Sequence, residues 1–141
     1  MIVYEYPFNE GIRTMLRLER LFTRLAQLVP RDTPTDHHYA LATLFEIMDV
    51  ISRTDFKAEL LQELAHRHET FEGYRGNPSI SEGALNLAID RIVGAHRRLG
   101  AIPGRPEQSL AANEWLMSVR SRINIPGGTC EFDLPGYFAW Q

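Results

Sequence analysis

Apolar residues recur at helical spacing along most of this chain, and the places where the spacing fails mark the joints between elements. Residues 2–6, IVYEY, are instead β-branched and aromatic, and Pro7 closes them, which predicts a short strand. Asn9 reads as the N-cap of a first helix running to about Leu28, with Glu10 in its first turn and Pro30 past its end. After the loop PRDTPT, Asp36 opens a second helix through about Ser52. Thr54 or Asp55 caps a third helix to about Phe71, along which Phe56, Leu60, Leu64 and Phe71 fall at helical spacing. The stretch GYRGNPS is a loop, and Ser79-x-x-Glu82 reads as the capping box of a fourth helix that reaches Gly100. Leu85, Ile89, Ile92, Val93 and Leu99 form the expected buried face of that helix. Beyond the loop GAIPGRP, a last helix starts near Pro106 or at an Asn113 cap and ends at Arg122.

The pattern then changes. Pro126-Gly127-Gly128 breaks the helix, and TCEF alternates outward and inward residues as a strand would. The expected fold class is mainly α (α+β): a bundle of four to five helices over residues 9–123, with an N-terminal strand in residues 1–8 and the start of a β region in residues 124–141. Two short strands alone make a marginal sheet, so this β region is expected to be truncated.

Composition narrows the function classes. A chain of 141 residues can hold a core without staples. Its formal net charge of -3 and pI of about 5.9 argue against a general nucleic-acid binder. Cys130 is the sole cysteine, so no intrachain disulfide can form. The sequence MIVYEYPFNE lacks the basic and apolar regions of a signal peptide, and no run approaches the roughly 20 apolar residues of a membrane span. A cytoplasmic protein is expected. Basic residues are lopsided, fourteen Arg against the single Lys57, and guanidinium forks suit carboxylates and phosphates.

Four of those arginines form a pattern. Arg13, Arg17, Arg20 and Arg24 are spaced 4, 3 and 4 along the first helix, which keeps them within a band of about 60°. Met15, Leu18, Phe22, Leu25 and Val29 cluster on the other side, giving an amphipathic helix with an all-arginine outer stripe. Glu10 can reach Arg13, whereas Glu19 lies off the stripe. Such a stripe is either a solvated face balanced by acids on neighbouring helices or a docking strip for an acidic peptide. A small helical nucleic-acid-binding regulator using the stripe on phosphate is the alternative reading, weakened by the acidic pI.

Other candidates point to structure rather than chemistry. Glu63 and His66 make half of a di-iron motif, but no second Glu-x-x-His exists, so no metal is expected. His66 and His68 read as the polar end of the third helix, His37 and His38 as solvated residues at the start of the second, and His96 as a packed side chain. Cys130 beside Glu131 has no activating histidine, and no phosphate-binding loop occurs. No catalytic residue and no cofactor is therefore expected. Trp115 reads as core, while Trp140 is either exposed or packed on another chain. Leu85, Ile92 and Leu99 stand at heptad spacing, which serves a core or a helical interface.

Three segments carry a resemblance. NEGIRTMLRLE at 9–19, MDVISRTDFKAELLQEL at 48–64 and IPGGTCEFDLP at 125–135 resemble the ZapD (Z-ring associated protein D) family of cell division proteins, in order and over nearly the whole chain. The resemblance implies that the chain is the N-terminal part of a longer protein, cut inside a β-domain. It further implies a cytoplasmic homodimer at the mid-cell division ring that binds the acidic C-terminal tail of FtsZ, a tubulin-like GTPase, and bundles its filaments, without catalysis. Arg17, in the segment RTMLRLE, and Arg53, after Asp49-Val50, are the positions the resemblance carries over to tail binding. Gly11 departs from the family pattern, which favours a helix-forming, often basic residue there.

Overall fold

The computed structural model describes residue 4, residues 6–53 and residues 55–141. Seven helices occur among them: α1 (Glu10–Leu28), α2 (Pro34–Ser52), α3 (Phe56–Glu72), α4 (Glu82–Gly100), α5 (Gln108–Ala111), α6 (Glu114–Ile123) and α7 (Pro135–Trp140). They sort into two compact units. The first holds the described residues up to Ser52 together with Ser109–Gln141, and the second holds Arg53–Gln108.

Most helix starts follow local chemistry. Asn9 Oδ1 accepts from the amide of Gly11 at 2.7 Å and that of Ile12 at 3.4 Å, so α1 begins where its cap predicts. Asn113 Oδ1 accepts from the Leu116 amide at 2.9 Å and starts α6. Two starts differ from expectation. α2 begins two residues before Asp36, because Thr33 Oγ1 accepts from the Asp36 amide at 3.1 Å and donates to the Asp36 carboxylate at 2.7 Å. Pro34, with no amide hydrogen to satisfy, sits comfortably in that first turn. At α4 the cap is Ser81, which accepts from the Ala84 amide, and not Ser79. The Ser79 amide is instead drawn into a tight turn by Asn77 Oδ1 at 2.9 Å. Of the two caps offered for α3, Asp55 makes no side-chain cap bond and Thr54 lies outside the described residues.

In the first unit α2 is the central element. Its sequence is apolar nearly all round, as a helix covered on two sides requires. Phe45 and Met48 pack with Leu116 and Val119 of α6 and Tyr137 of α7 in one buried cluster. Thr43 and Ile47, also buried, turn to the side where α1 lies, and α1 contributes Leu18 and Leu21. The buried Thr43 hydroxyl donates to the Tyr39 carbonyl at 2.7 Å, so its polarity is satisfied within the helix. Asp49 of α2 is ion-paired with Arg120 of α6.

The second unit is a helical hairpin. α3 and α4 pack together, yet α3 buries no residue fully and α4 buries only Leu85 and Ile89. Two helices alone cannot enclose a core. Lys57 closes the open end of the hairpin, its Nζ donating to the carbonyls of Ile102 and, at 3.3 Å, Gly104.

The expected strand at 129–134 is corrected. No strand occurs among the described residues, and this stretch is a chain of turns that leads into α7. The reason lies in the backbone: the Gly128 amide bonds to the Ile125 carbonyl at 2.8 Å, Cys130 to Gly127 at 3.2 Å, and Leu134 to Cys130 at 3.0 Å. With no neighbouring strand to pair with, the peptide groups are satisfied locally. The N-terminal strand expected at 2–6 falls largely outside the described residues; Tyr4 and Tyr6, which are described, are not in a strand. The mainly helical class holds, with no β component among the described residues.

The Pro-Gly-Gly motif has a steric origin. Gly127 has φ of +67°, and a Cβ at the buried Gly128 would stand 2.5 Å from the Arg122 carbonyl oxygen and 2.7 Å from Ile125 Cβ. Only glycine lets the chain turn this closely past the end of α6. Gly128→Ala should lower the stability of this unit by about 1–3 kcal/mol, read as a reduced urea midpoint with loss of helical signal. An unchanged midpoint would show that the turn has room to shift.

Candidate functional site

The arginine stripe is a product of how α1 packs. With Leu18 and Leu21 turned inward, Arg13, Arg17, Arg20 and Arg24 run along a flank about 100° round from that face, Arg13 partly covered and the others exposed. Phe22 and Val29, expected on the buried side, are exposed, because the inward face is centred nearer Leu18, Leu21, Leu25 and Leu28.

The stripe is not bare. Glu10 lies at its head, with Oε2 3.5 Å from Arg13 Nη1 and Oε1 3.6 Å from Arg17 Nη1. Arg13 Nε also donates to the Pro7 carbonyl at 3.1 Å, and its guanidinium carbon stands 6.0 Å from the centre of the Tyr6 ring. Arg24 is ion-paired with Glu46 of α2. Arg20 alone has no carboxylate in ion-pairing range among the described residues. One glutamate thus serves two arginines, where pairing with Arg13 alone was expected; the reach of both side chains along the helix allows it. All these pairs are exposed to solvent, so each contributes only about 0.2–1 kcal/mol and yields to competition. Arg53 is exposed and opens the second unit, whereas the stripe belongs to the first.

The remaining candidates find structural partners. Glu63 accepts from Arg67 Nε at 2.7 Å, and His66 is exposed beside it. Glu72 is held by Arg75, whose hydrogen bond keeps the carboxyl below the usual carboxylate range, and His68 Nε2 lies 3.7 Å from the same carboxylate. His96, expected to be packed, is exposed and lines a shallow groove between α3 and α4 with Leu64, Ile92 and Val93. Within the second unit the described residues supply no third helix over that face. Cys130 donates toward Asp133 Oδ2 at 3.6 Å, and Asp133 is in turn held by Arg122 at 3.0 Å. The acid that meets the thiol is therefore Asp133 rather than Glu131, since turns replace the strand.

The cluster missed from sequence is aromatic. His38 Nδ1 lies 2.8 Å from the Tyr137 hydroxyl, which also accepts from Gln141 Nε2 at 2.8 Å. His37 stacks near Trp140 with ring centres 5.3 Å apart, and Trp140 meets Trp115 edge-on at 5.3 Å. The expectation that both histidines are solvated is thus corrected: each is half-buried where α7 docks on the first turn of α2. Trp140 packs within its own chain, and Trp115 packs against the core as expected. Only the density of aromatic residues in LPGYFAW could have signalled this docking.

The resemblance carried by IPGGTCEFDLP accords with comparison to known proteins. The profile of the ZapD family, described as a cell division protein, matches residues 16–141. This chain belongs to that family. A relative named cell division protein ZapD from Ralstonia pickettii is 54% identical over all 141 residues, and one of the same name from Ralstonia nicotianae is 55% identical over the same span. The chain spans 56% of the length of each. No helix among the described residues is long and apolar enough to cross a membrane.

Burial gives Tyr137 a pH signature. Desolvation raises its phenol above the usual value of 10.0. The folded state therefore holds the proton more tightly than the unfolded chain, so this contribution is complete below about pH 10 and is lost as pH rises through the folded pKa. The absorbance of tyrosinate should show one late-ionising phenol, and that step should coincide with alkaline loss of helical signal. Tyr137→Phe should remove the late step; its persistence would assign it to another tyrosine.

Proposed function

We propose that this chain is part of a non-enzymatic cell division factor that binds the acidic C-terminal tail of FtsZ and bundles FtsZ filaments into the division ring. The observation that carries this reading is the outward arginine stripe of α1, Arg13, Arg17, Arg20 and Arg24, in a member of a family of cell division proteins. Arg53 is assigned to tail binding with them. Guanidinium groups offer paired donors that match carboxylate oxygens, so an acidic tail is the fitting guest.

Magnitudes set the mode of action. Four exposed arginine–carboxylate pairs supply about 1–4 kcal/mol, short of the roughly 8 kcal/mol of micromolar affinity. The yield is smaller still here, because a tail carboxylate must displace Glu10 or Glu46 from three of the four arginines. A single site is therefore weak. Repeated attachment supplies the remainder: a homodimer on a polymer engages its second tail at high effective concentration, and two engaged tails join two filaments. The setting is the cytoplasm, at mid-cell.

Arg13→Glu combined with Arg17→Glu should strongly reduce the amount of protein that sediments with FtsZ filaments, and the difference from the wild type should narrow as salt is raised. Pelleting equal to the wild type would remove the stripe from the mechanism. Glu10→Gln should act oppositely. Freeing both Arg13 and Arg17 of their shared carboxylate should tighten binding of an FtsZ tail peptide by about twofold to fivefold. Weaker binding would mean that Glu10 orients those arginines rather than competing for them.

A further inference from the structure

α4 carries charge on two flanks: Glu82, Asp90 and Arg97 share one, and Arg91 and Arg98 stand on another. At about 100° per residue, Leu85, Ile89 and Ile92 fall within about 60° of one another, on the side packed against α3. Glu82, Asn86 and Asp90 follow on one flank, about 60–140° round from Leu85. Arg75 is held first by Glu72; its Nη1 also donates to Asn86 Oδ1 at 2.8 Å, and Glu82 and Asp90 add a smaller favourable charge.

Arg91 and Arg98 stand on the far side, about 220–240° from Leu85 and one heptad apart. Leu87 and Gly94 lie beside them at about 180–200°. The helix offers these arginines nothing to pair with. Three and four residues to either side of Arg91 are Leu87, Ala88, Gly94 and Ala95, and those flanking Arg98 are Gly94, Ala95, Ala101 and Ile102. Among the described residues neither has a carboxylate in ion-pairing range, in contrast to three of the four arginines on α1. Arg98 lies back over Gly94, where an added Cβ would meet its Nη1 at 3.9 Å. Leu87 is 54% exposed at one end of it.

We infer that this outer face of α4 is a docking strip for an acidic peptide segment carrying an aliphatic residue, with Arg91 and Arg98 each taking a carboxylate and Leu87 taking the aliphatic side chain. Charge complementarity names the guest. The two arginines are separated by about 10 Å along the helix, the reach of carboxylates three residues apart in an extended chain. A nucleic acid is disfavoured, because its phosphates require a broad basic surface, while here two charges stand beside the acids of the neighbouring flank on a chain of net charge -3. The exposed leucine asks for an apolar contact that a phosphate backbone does not supply. This strip lies in the second unit and the α1 stripe in the first, so one chain carries two separate grips for acidic segments.

The strip is tested with a labelled twelve-residue synthetic peptide of glycine and serine carrying one leucine and two aspartates three residues apart, alongside its asparagine counterpart. In NMR titrations the aspartate peptide should shift amide resonances of Leu87–Arg98 and the asparagine peptide should not. Arg91→Glu with Arg98→Glu should weaken binding about fivefold to tenfold, and Arg91→Gln with Arg98→Gln somewhat less. Leu87→Ala should cost about threefold. Equal binding of the two peptides, or unchanged affinity in both double variants with wild-type helical signal, overturns the inference. So does a mixed-sequence RNA oligomer that shifts the same amides at physiological salt more strongly than the aspartate peptide. A loss of peptide binding confined to the Arg13→Glu and Arg17→Glu protein would overturn it too, while leaving the reading of α1 intact.

Discussion

What α2 covers decides what α1 shows. α2 is buried on two sides, by the cluster of Phe45, Met48, Leu116, Val119 and Tyr137 on one and by α1 on the other. That second contact takes Leu18 and Leu21 out of water and thereby fixes the rotation of α1 about its own axis. Once the rotation is set, the arginines at 13, 17, 20 and 24 fall on the flank beside that contact, where Arg24 meets Glu46 of α2. A shift of one residue in that packing would turn the stripe by about 100° and dissolve the site.

The stripe is then tempered by its surroundings. Glu10 bridges Arg13 and Arg17, and Glu46 reaches Arg24 across from α2. Exposed pairs of this kind are worth little individually, so another carboxylate displaces them at small cost. On α4 the opposite arrangement holds, with the outward Arg91 and Arg98 left without a carboxylate in ion-pairing range among the described residues. The same residue type thus occupies two electrostatic settings in one chain.

The C-terminal stretch shows the limit of pattern reading. TCEF alternates as a strand would, yet a strand is a property of a pair, and no partner strand is present among the described residues. Turns satisfy the backbone there, and the aromatic run of α7 folds back on the start of α2. The contact between His38 and Tyr137 joins residues ninety-nine positions apart. Nothing in the local neighbourhood of either one announces the other.

Helix existence, the caps at Asn9 and Asn113 and the four-residue rhythm of the arginines were legible from sequence because each depends on neighbours within one turn. Family membership was legible as well, since IPGGTCEFDLP and its companion segments are strings that need no coordinates. Tertiary structure alone decided which flank of α1 is buried, that Glu46 partners Arg24, that Gly128 has no room for a methyl group, and that the end of the chain is turns and helix instead of strand. The division is physical. Hydrogen bonds and periodicity act over a few residues, whereas burial and ion pairing between elements depend on surfaces that exist only once distant segments have met.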